Sequence, residues 1–279
     1  QIDPYTSAKQ MLTMLASKEI SAVELLEFHI DRIARHNPKI NAIVWTDLQQ
    51  ARATAIKTDE TRVHGHTSAL LGLPITIKDS IDVKDVPGTG GIEKYADRRP
   101  LADSLLVSRL KREGAVIIGK TNVPEHLSDW QSNNPIYGRS NNPWDLDKTP
   151  GGSTGGGGAA LATGLTALEF GSDIGGSIRI PASFCGVYGH KPSETAVPRS
   201  GHFPGSTKPN PGIAMVVQGP LARTADDIEL SMNVVSGPDI NEDKAWTLHM
   251  PTARHSTLSE YRVAIMPVMK GFPVDAKIA

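Results

Sequence analysis

Apolar residues recur at helical spacing near the start of the chain. Val23, Leu26, Ile30 and Ile33 fall three and four apart, which predicts a helix with one buried stripe. Ser21 and Glu24 form an S-x-x-E capping box at its start, and residues 6–36 as a whole read as two helices. The polar stretch 58–68 reads as a surface loop. The pattern then changes: LLGLPITIK is a short apolar, β-branched run, predicted as a buried strand ending at Lys78. Asp103 is the expected N-cap of a helix carrying Leu106, Val107 and Leu110, which ends near Gly114 and passes into AVIIG, a second buried strand. LTALEFG predicts a third strand after a helix of small residues, and YRVAIM a fourth. A late helix from Thr224 sets Ile228, Met232 and Val235 on one face and stops at Gly237 and Pro238. This alternation predicts an α/β fold with a mixed, largely parallel central sheet covered by helices on both faces. The glycine run 155–158 leads into AALATGLTALEF and reads as a tightly packed helix start rather than a linker.

Composition narrows the function classes. The chain has 279 residues, 39% hydrophobic and 21% charged, which is ordinary for a globular protein. We expect a helical collar over 1–60 and an α/β core over 61–279, within a single overall domain. A formal net charge of −1 gives no general attraction to nucleic acid or anionic lipid, so the expected partners are small molecules or proteins. No apolar run approaches the ~20 residues of a membrane helix, and QIDPYTSAKQ lacks the regions of a signal peptide, so a soluble, cytoplasmic protein is expected. The single cysteine, Cys185, sits in apolar IPASFCGVYG and is expected to be a buried, inert thiol. His64 and His66 have no evident third ligand, so no metal is expected.

Three segments carry chemistry together: GLPITIKDSIDV, PGGSTGGGGAALATG and EFGSDIGGSIRIPASFCGVYGHKPS. Their combination resembles the amidase signature family, and the likeness extends through GAVIIGKTNVPE, YGRSNNPWD and GPLARTADDIEL. The resemblance implies a serine amidohydrolase with Ser177 as nucleophile, Ser153 on a cis peptide bond as proton relay, and Lys78 as base. It makes the backbone N–H groups of Ile174, Gly175, Gly176 and Ser177 the oxyanion hole. It implies an acyl-enzyme intermediate, a small-molecule amide substrate and no cofactor, and it is compatible with a homodimer. The physics agrees. A lysine at the end of an apolar strand is partly desolvated, which disfavours its ammonium form. A serine hydroxyl can donate and accept at once, as a relay must. Consecutive glycines let adjacent N–H groups converge on one developing charge.

Other readings compete with this one. G-G-S-T-G at 151–155 satisfies G-x-S-x-G, which would make Ser153 the nucleophile of an α/β-hydrolase esterase. That elbow needs a strand before it, and NPWDLDKTP is polar and proline-punctuated. His190, His202, His249 and His255 lie in no telling motif for a triad. S-x-x-K at 108–111 has no companion motifs, and GGSTGGGG lacks the Lys-Ser/Thr ending of a phosphate loop. A non-catalytic scaffold or a transamidosome-type glutamine amidase subunit would carry the same glycine-rich core. ETAVPRSGHFPGSTKPNPGIAMVVQ looks more like stand-alone amidases acting on aryl, acyl or carbamoyl compounds. Trp130, Tyr137 and Phe203 are weak candidates for an apolar substrate pocket, with core packing as the plain alternative. Thr154 and His190 depart from the family's commonest wording, and VAIMPVMKGFPVDAKIA resembles the middle of a family member. The chain is therefore expected to be truncated and weakly active alone.

Overall fold

The computed structural model describes residues 2–203, 214–264 and 271. The chain divides into two compact units, Gln1–Leu248 and His249–Ala279. The first opens with α1 (Ala8–Ala16), capped by Ser7 with Gln10, and α2 (Ala22–Ile40), capped by the expected Ser21–Glu24 box. The α2 stripe is buried at Leu26 and Ile30, and Ala22 and Leu25 widen it. Then follow β1 (Ile43–Thr46), α3 (Leu48–Val63), β2 (Pro74–Lys78), α4 (Leu105–Arg112) and β3 (Val116–Thr121).

Two expectations need correction here. The polar stretch 58–68 is helical as far as Val63; α3 buries only Ala51, Ala55 and Thr58, so no apolar stripe marks it in the sequence. Ser104, not Asp103, caps α4: its hydroxyl accepts from the Val107 N–H, while Asp103 accepts from the Lys84 N–H and the Lys111 ammonium.

A two-residue ladder, β4 (Asn133–Asn134) with β5 (Gly138–Arg139), precedes α5 (Gly155–Ala162), β6 (Leu168–Asp173), α6 (Arg179–Cys185), β7 (Tyr188–Gly189), β8 (Val217–Ala222) and α7 (Ala225–Val235). The main sheet is mixed and runs β1-β3-β2-β6-β8-β7. Its parallel part is the middle, β3-β2-β6, and antiparallel strands flank it. Ile75 and Ile77 of β2, with Leu168 and Phe170 of β6, join α1, α2, α4 and α7 in one large apolar core. Ala159, Ala160 and Leu161 of α5, with Ala182 and Cys185 of α6, belong to two smaller clusters. Helices thus cover both faces, and the smaller clusters pack where the glycine-rich segment runs.

In the second unit Leu258–Glu260 form one 3-10 turn, and His255 meets Tyr261 edge-on at 4.7 Å. The strand expected at YRVAIM is absent over 261–264, which are exposed and unpaired to any strand; positions 265 and 266 lie outside the described residues. Among the described residues no helix is long and apolar enough to cross a membrane.

Candidate active site

Lys78 closes β2 and is fully buried. Its amine donates to Ser153 Oγ at 2.7 Å and to Ser172 Oγ at 3.0 Å. Burial pulls Lys78 down from the ordinary lysine value to about 7, against the opposing charges of Glu169, Asp173 and Asp79. Asp79 itself turns away from the lysine. Its Oδ2 accepts from the Thr89 N–H, the Thr89 hydroxyl and the Gly90 N–H, and burial pushes its carboxyl up. A second fully buried lysine, Lys120, donates to the carbonyl oxygens of Asp79 and Ile81 and so holds the turn that follows Lys78. Burial pulls it down to about 8.

Ser153 lies just before α5, after a cis Gly152–Ser153 peptide bond. Only glycine fits at 152, since a Cβ there would stand 2.5 Å from the Asp129 carbonyl oxygen and 2.8 Å from Trp130 Cα. Ser132 pins the turn by donating to the Gly151 carbonyl and accepting from the Gly155 N–H.

Ser177 sits between β6 and α6 and is 7% exposed. The Thr154 N–H donates to its carbonyl oxygen at 3.1 Å, which ties its backbone to the residue after Ser153. The Ser177 hydroxyl makes no hydrogen bond among the described residues, to Ser153 or any other group. Asp173 organises the loop: it accepts from the N–H groups of Gly176, Ile178 and Arg179 and from the Arg179 guanidinium. Burial works to raise the Asp173 carboxyl, but Arg179 and these amides outweigh it and hold it at about 2. Of the four amides expected to face inward, that of Gly176 is therefore committed to Asp173 Oδ1 at 2.9 Å. Those of Ile174, Gly175 and Ser177 make no hydrogen bond among the described residues. Gly176 has φ +107°, a conformation that glycine adopts without steric cost.

The three aromatic candidates lie on different segments. Trp130 is 53% exposed, and its backbone packs on Gly152. Tyr137 is half-buried, raised to about 12 by burial and by the Asp79 charge. The Phe203 N–H donates to the Ser80 carbonyl at 2.7 Å. No ring contact joins them among the described residues. Cys185 is buried and pushed up to about 12, as an inert thiol would be. His64 and His66 are exposed, and no metal-binding cluster exists among the described residues. His202 is buried against Ser80 at 3.3 Å and lowered to about 3, first by burial and then by Lys78, Arg199 and Lys120. No strand runs directly into Ser153, the last one before it being β5, and its partner is a lysine rather than a histidine, which removes the context of the esterase reading. The groove lined by Trp45, Thr58, His66, Val86, Lys111 and Ile117 contains none of Lys78, Ser153 and Ser177.

Sequence reasoning missed Ser172, Asp173, Glu169 and Lys120. Asp173 and Ser172 stood inside EFGSDIGGS, and Glu169 stands between the apolar Leu168 and Phe170, which is a usable signal for a buried functional group. The profile of the Amidase family matches residues 24–279. This chain belongs to the Amidase family. Among its relatives, indoleacetamide hydrolase of Bradyrhizobium diazoefficiens is 36% identical over 274 residues, covering 98% of this chain and 52% of that protein. Human fatty-acid amide hydrolase 2 is 35% identical over 246 residues, 85% of this chain and 46% of the relative. A bacterial aryl acylamidase structure superposes with a TM-score of 0.80 at 32% identity, covering 88% of this chain and 50% of that one. This Amidase chain thus spans about half the length of the curated relatives it matches.

Proposed function

We propose that this chain carries the reacting centre of an amidohydrolase that cleaves the C–N bond of small carboxylic amides, with Ser177 as nucleophile, Ser153 as relay and Lys78 as base. The observation that carries the reading is a fully buried lysine at 2.7 Å from Ser153 Oγ. When Lys78 is uncharged, that contact runs the other way, the hydroxyl donating to the amine lone pair. Ser153 is then free to accept from Ser177, a contact that tightens when substrate fills the site.

Ser177 Oγ attacks the amide carbon, and its proton passes through Ser153 to Lys78. The carbonyl oxygen takes up negative charge beside the N–H groups of Ile174, Gly175 and Ser177, which have no hydrogen-bond partner among the described residues, each donor worth roughly 3–4 kcal/mol in such sites. Lys78 returns the proton through Ser153 to the departing nitrogen, which leaves as ammonia or an amine. Water repeats the sequence on the acyl-enzyme and releases the acid. Asp173 holds the loop that presents Ser177, and Ser172 steadies the lysine head.

The substrate class rests on relatives that are amide hydrolases by name, indoleacetamide hydrolase and fatty-acid amide hydrolase 2. A glutamine-hydrolysing role is the second reading, because a glutamyl-tRNA(Gln) amidotransferase subunit of Sulfurihydrogenibium is 36% identical over 247 residues. A hydrolysis panel of primary amides, anilides, esters and glutamine, with fluorophosphonate labelling of Ser177, tests both. Ser177→Ala is expected to abolish labelling, and Ser153→Ala and Lys78→Ala to slow it by roughly 10²–10⁴-fold. Full turnover by Ser177→Ala with loss in Ser153→Ala would hand the role of nucleophile to Ser153.

A further inference from the structure

Glu169 is the one charged residue inside β6 before its closing Asp173, and it is fully buried. Its two carboxylate oxygens are held separately: Thr76 Oγ1 donates to Oε2 at 2.5 Å and Thr121 Oγ1 donates to Oε1 at 2.6 Å. Those threonines frame the lysine. Thr76 precedes Lys78 by two residues on β2 and so faces the same side of the sheet, and Thr121 is the residue directly across from Lys78 on β3. Glu169 is in turn the register partner of Thr76. Over it lies α5, which begins two residues after Ser153. The helix makes room with a missing side chain: a Cβ at Gly157 would stand 2.6 Å from Glu169 Cδ.

We propose that Glu169 is a positioning residue that sets the charge of Lys78: its carboxylate, fixed on the lysine's face of the sheet by Thr76 and Thr121, favours the ammonium form and so determines the pH at which the base is released. The inference rests on the reading of Lys78 as the base. A buried carboxylate accepting two hydroxyl donors beside a buried amine is a coupled pair, in which the charge on one group stabilises the charge on the other. Burial opposes both charges, raising Glu169 and lowering Lys78, and the lysine's strongest opposing influence is Glu169. The remaining charges nearby are Asp79 at the end of β2, Lys120 on β3, and Asp173 on β6 with Arg179 bound to it. Asp82 with Arg98 lies near Lys120, and His202 near Lys78 is neutral. Helix α5 contributes no titratable side chain. Glu169 differs from Asp79 and Asp173 in facing the lysine without a loop amide on either oxygen.

The test is the pH dependence of fluorophosphonate labelling of Ser177 in the whole 279-residue chain. Labelling needs the free amine, so it rises with pH as Lys78 loses its proton. Glu169→Gln keeps the shape and removes the charge, and its half-maximal pH is expected to fall by roughly one unit. Thr121→Val withdraws one donor from the carboxylate and is expected to move the midpoint in the same direction by less. Thermal melting of each variant establishes that it is folded. Midpoints unmoved in both folded variants overturn the proposal and leave Glu169 a buried knot between strands. If Lys78→Ala instead labels with the wild-type pH profile, the base assignment fails and takes this inference with it.

Discussion

A lysine that gives up its proton near neutral pH is a property of position, since nothing in the residue itself provides it. Lys78 titrates near 7 in the fold and near 10.5 when exposed, because burial penalises its charge. Between those values the unfolded chain holds a proton that the folded chain has lost, so this group makes stability rise with pH from about 7 to 10.5 and contributes no slope below about 7. Lys78→Met is expected to flatten that rise, leaving the part due to Lys120, and urea unfolding across the neutral to alkaline range measures it. Turnover has the same sign: hydrolysis should climb through pH 7 as the amine is freed. Asp173 lies at the opposite extreme. Held at about 2, it keeps its loop assembled at any pH above about 4, and the structure it supports is lost only as pH falls through 2. Asp173→Asn keeps one acceptor oxygen but turns an NH2 donor toward either the Gly176 or the Ile178 amide, and should cut Ser177 labelling at least ~tenfold near neutral pH, with a smaller change in melting temperature. Lys78, Ser153 and Ser177 were legible in sequence because they sit in recognisable wording. Ser172 and Glu169 were not, because a hydroxyl or carboxyl within a strand discloses its partner only when the neighbouring strand is placed beside it.

Elements built from apolar periodicity were read well, as was the glycine-rich start of α5, whereas α3 and β8 were not. α2, β2, β3, β6 and α7 announced themselves through branched or spaced apolar side chains. α3 hid because alanine and threonine make up its buried face, and β8 because glycine and proline inside VQGPLA read as breakers. The glycine-rich start of α5 shows why such residues are needed. At Gly156 a Cβ would stand 2.6 Å from the Ala42 carbonyl oxygen and 2.8 Å from that of Asn122, both backbone, whereas at Gly157 the obstacle is the Glu169 side chain. Gly157→Ala should therefore cost ~1–3 kcal/mol, and Glu169→Ala in the same chain should recover part of it. Gly156→Ala should show no such rescue, because the backbone it meets cannot be trimmed. A double-mutant cycle on denaturant midpoints separates the two cases.

At the scale of the molecule, every strand of the main sheet and all three apolar clusters lie within Gln1–Leu248. A chain ending at Leu248 is accordingly expected to keep its far-ultraviolet circular dichroism and melt cooperatively, with loss of the transition as the contrary result. Over 261–264 the expected strand has no partner among the described residues: those four positions are exposed, and alternating apolar residues make a strand only when another strand takes up their hydrogen bonds. The amino-acid order by itself determined the α/β class, the capping box at Ser21, the start of the late helix at Thr224, the polar–apolar switch that ends β2 at Lys78, and the family to which the chain belongs. Those are local or compositional properties, written in residue type and spacing. Only the tertiary arrangement decided that the Gly176 amide is taken by Asp173, that Asp79 turns toward Thr89 and Gly90, and that Glu169 shares a sheet face with Lys78. Burial and charge act through distance in space, and residues far apart in the chain, as Thr76 and Glu169 are, become neighbours only once the strands are paired.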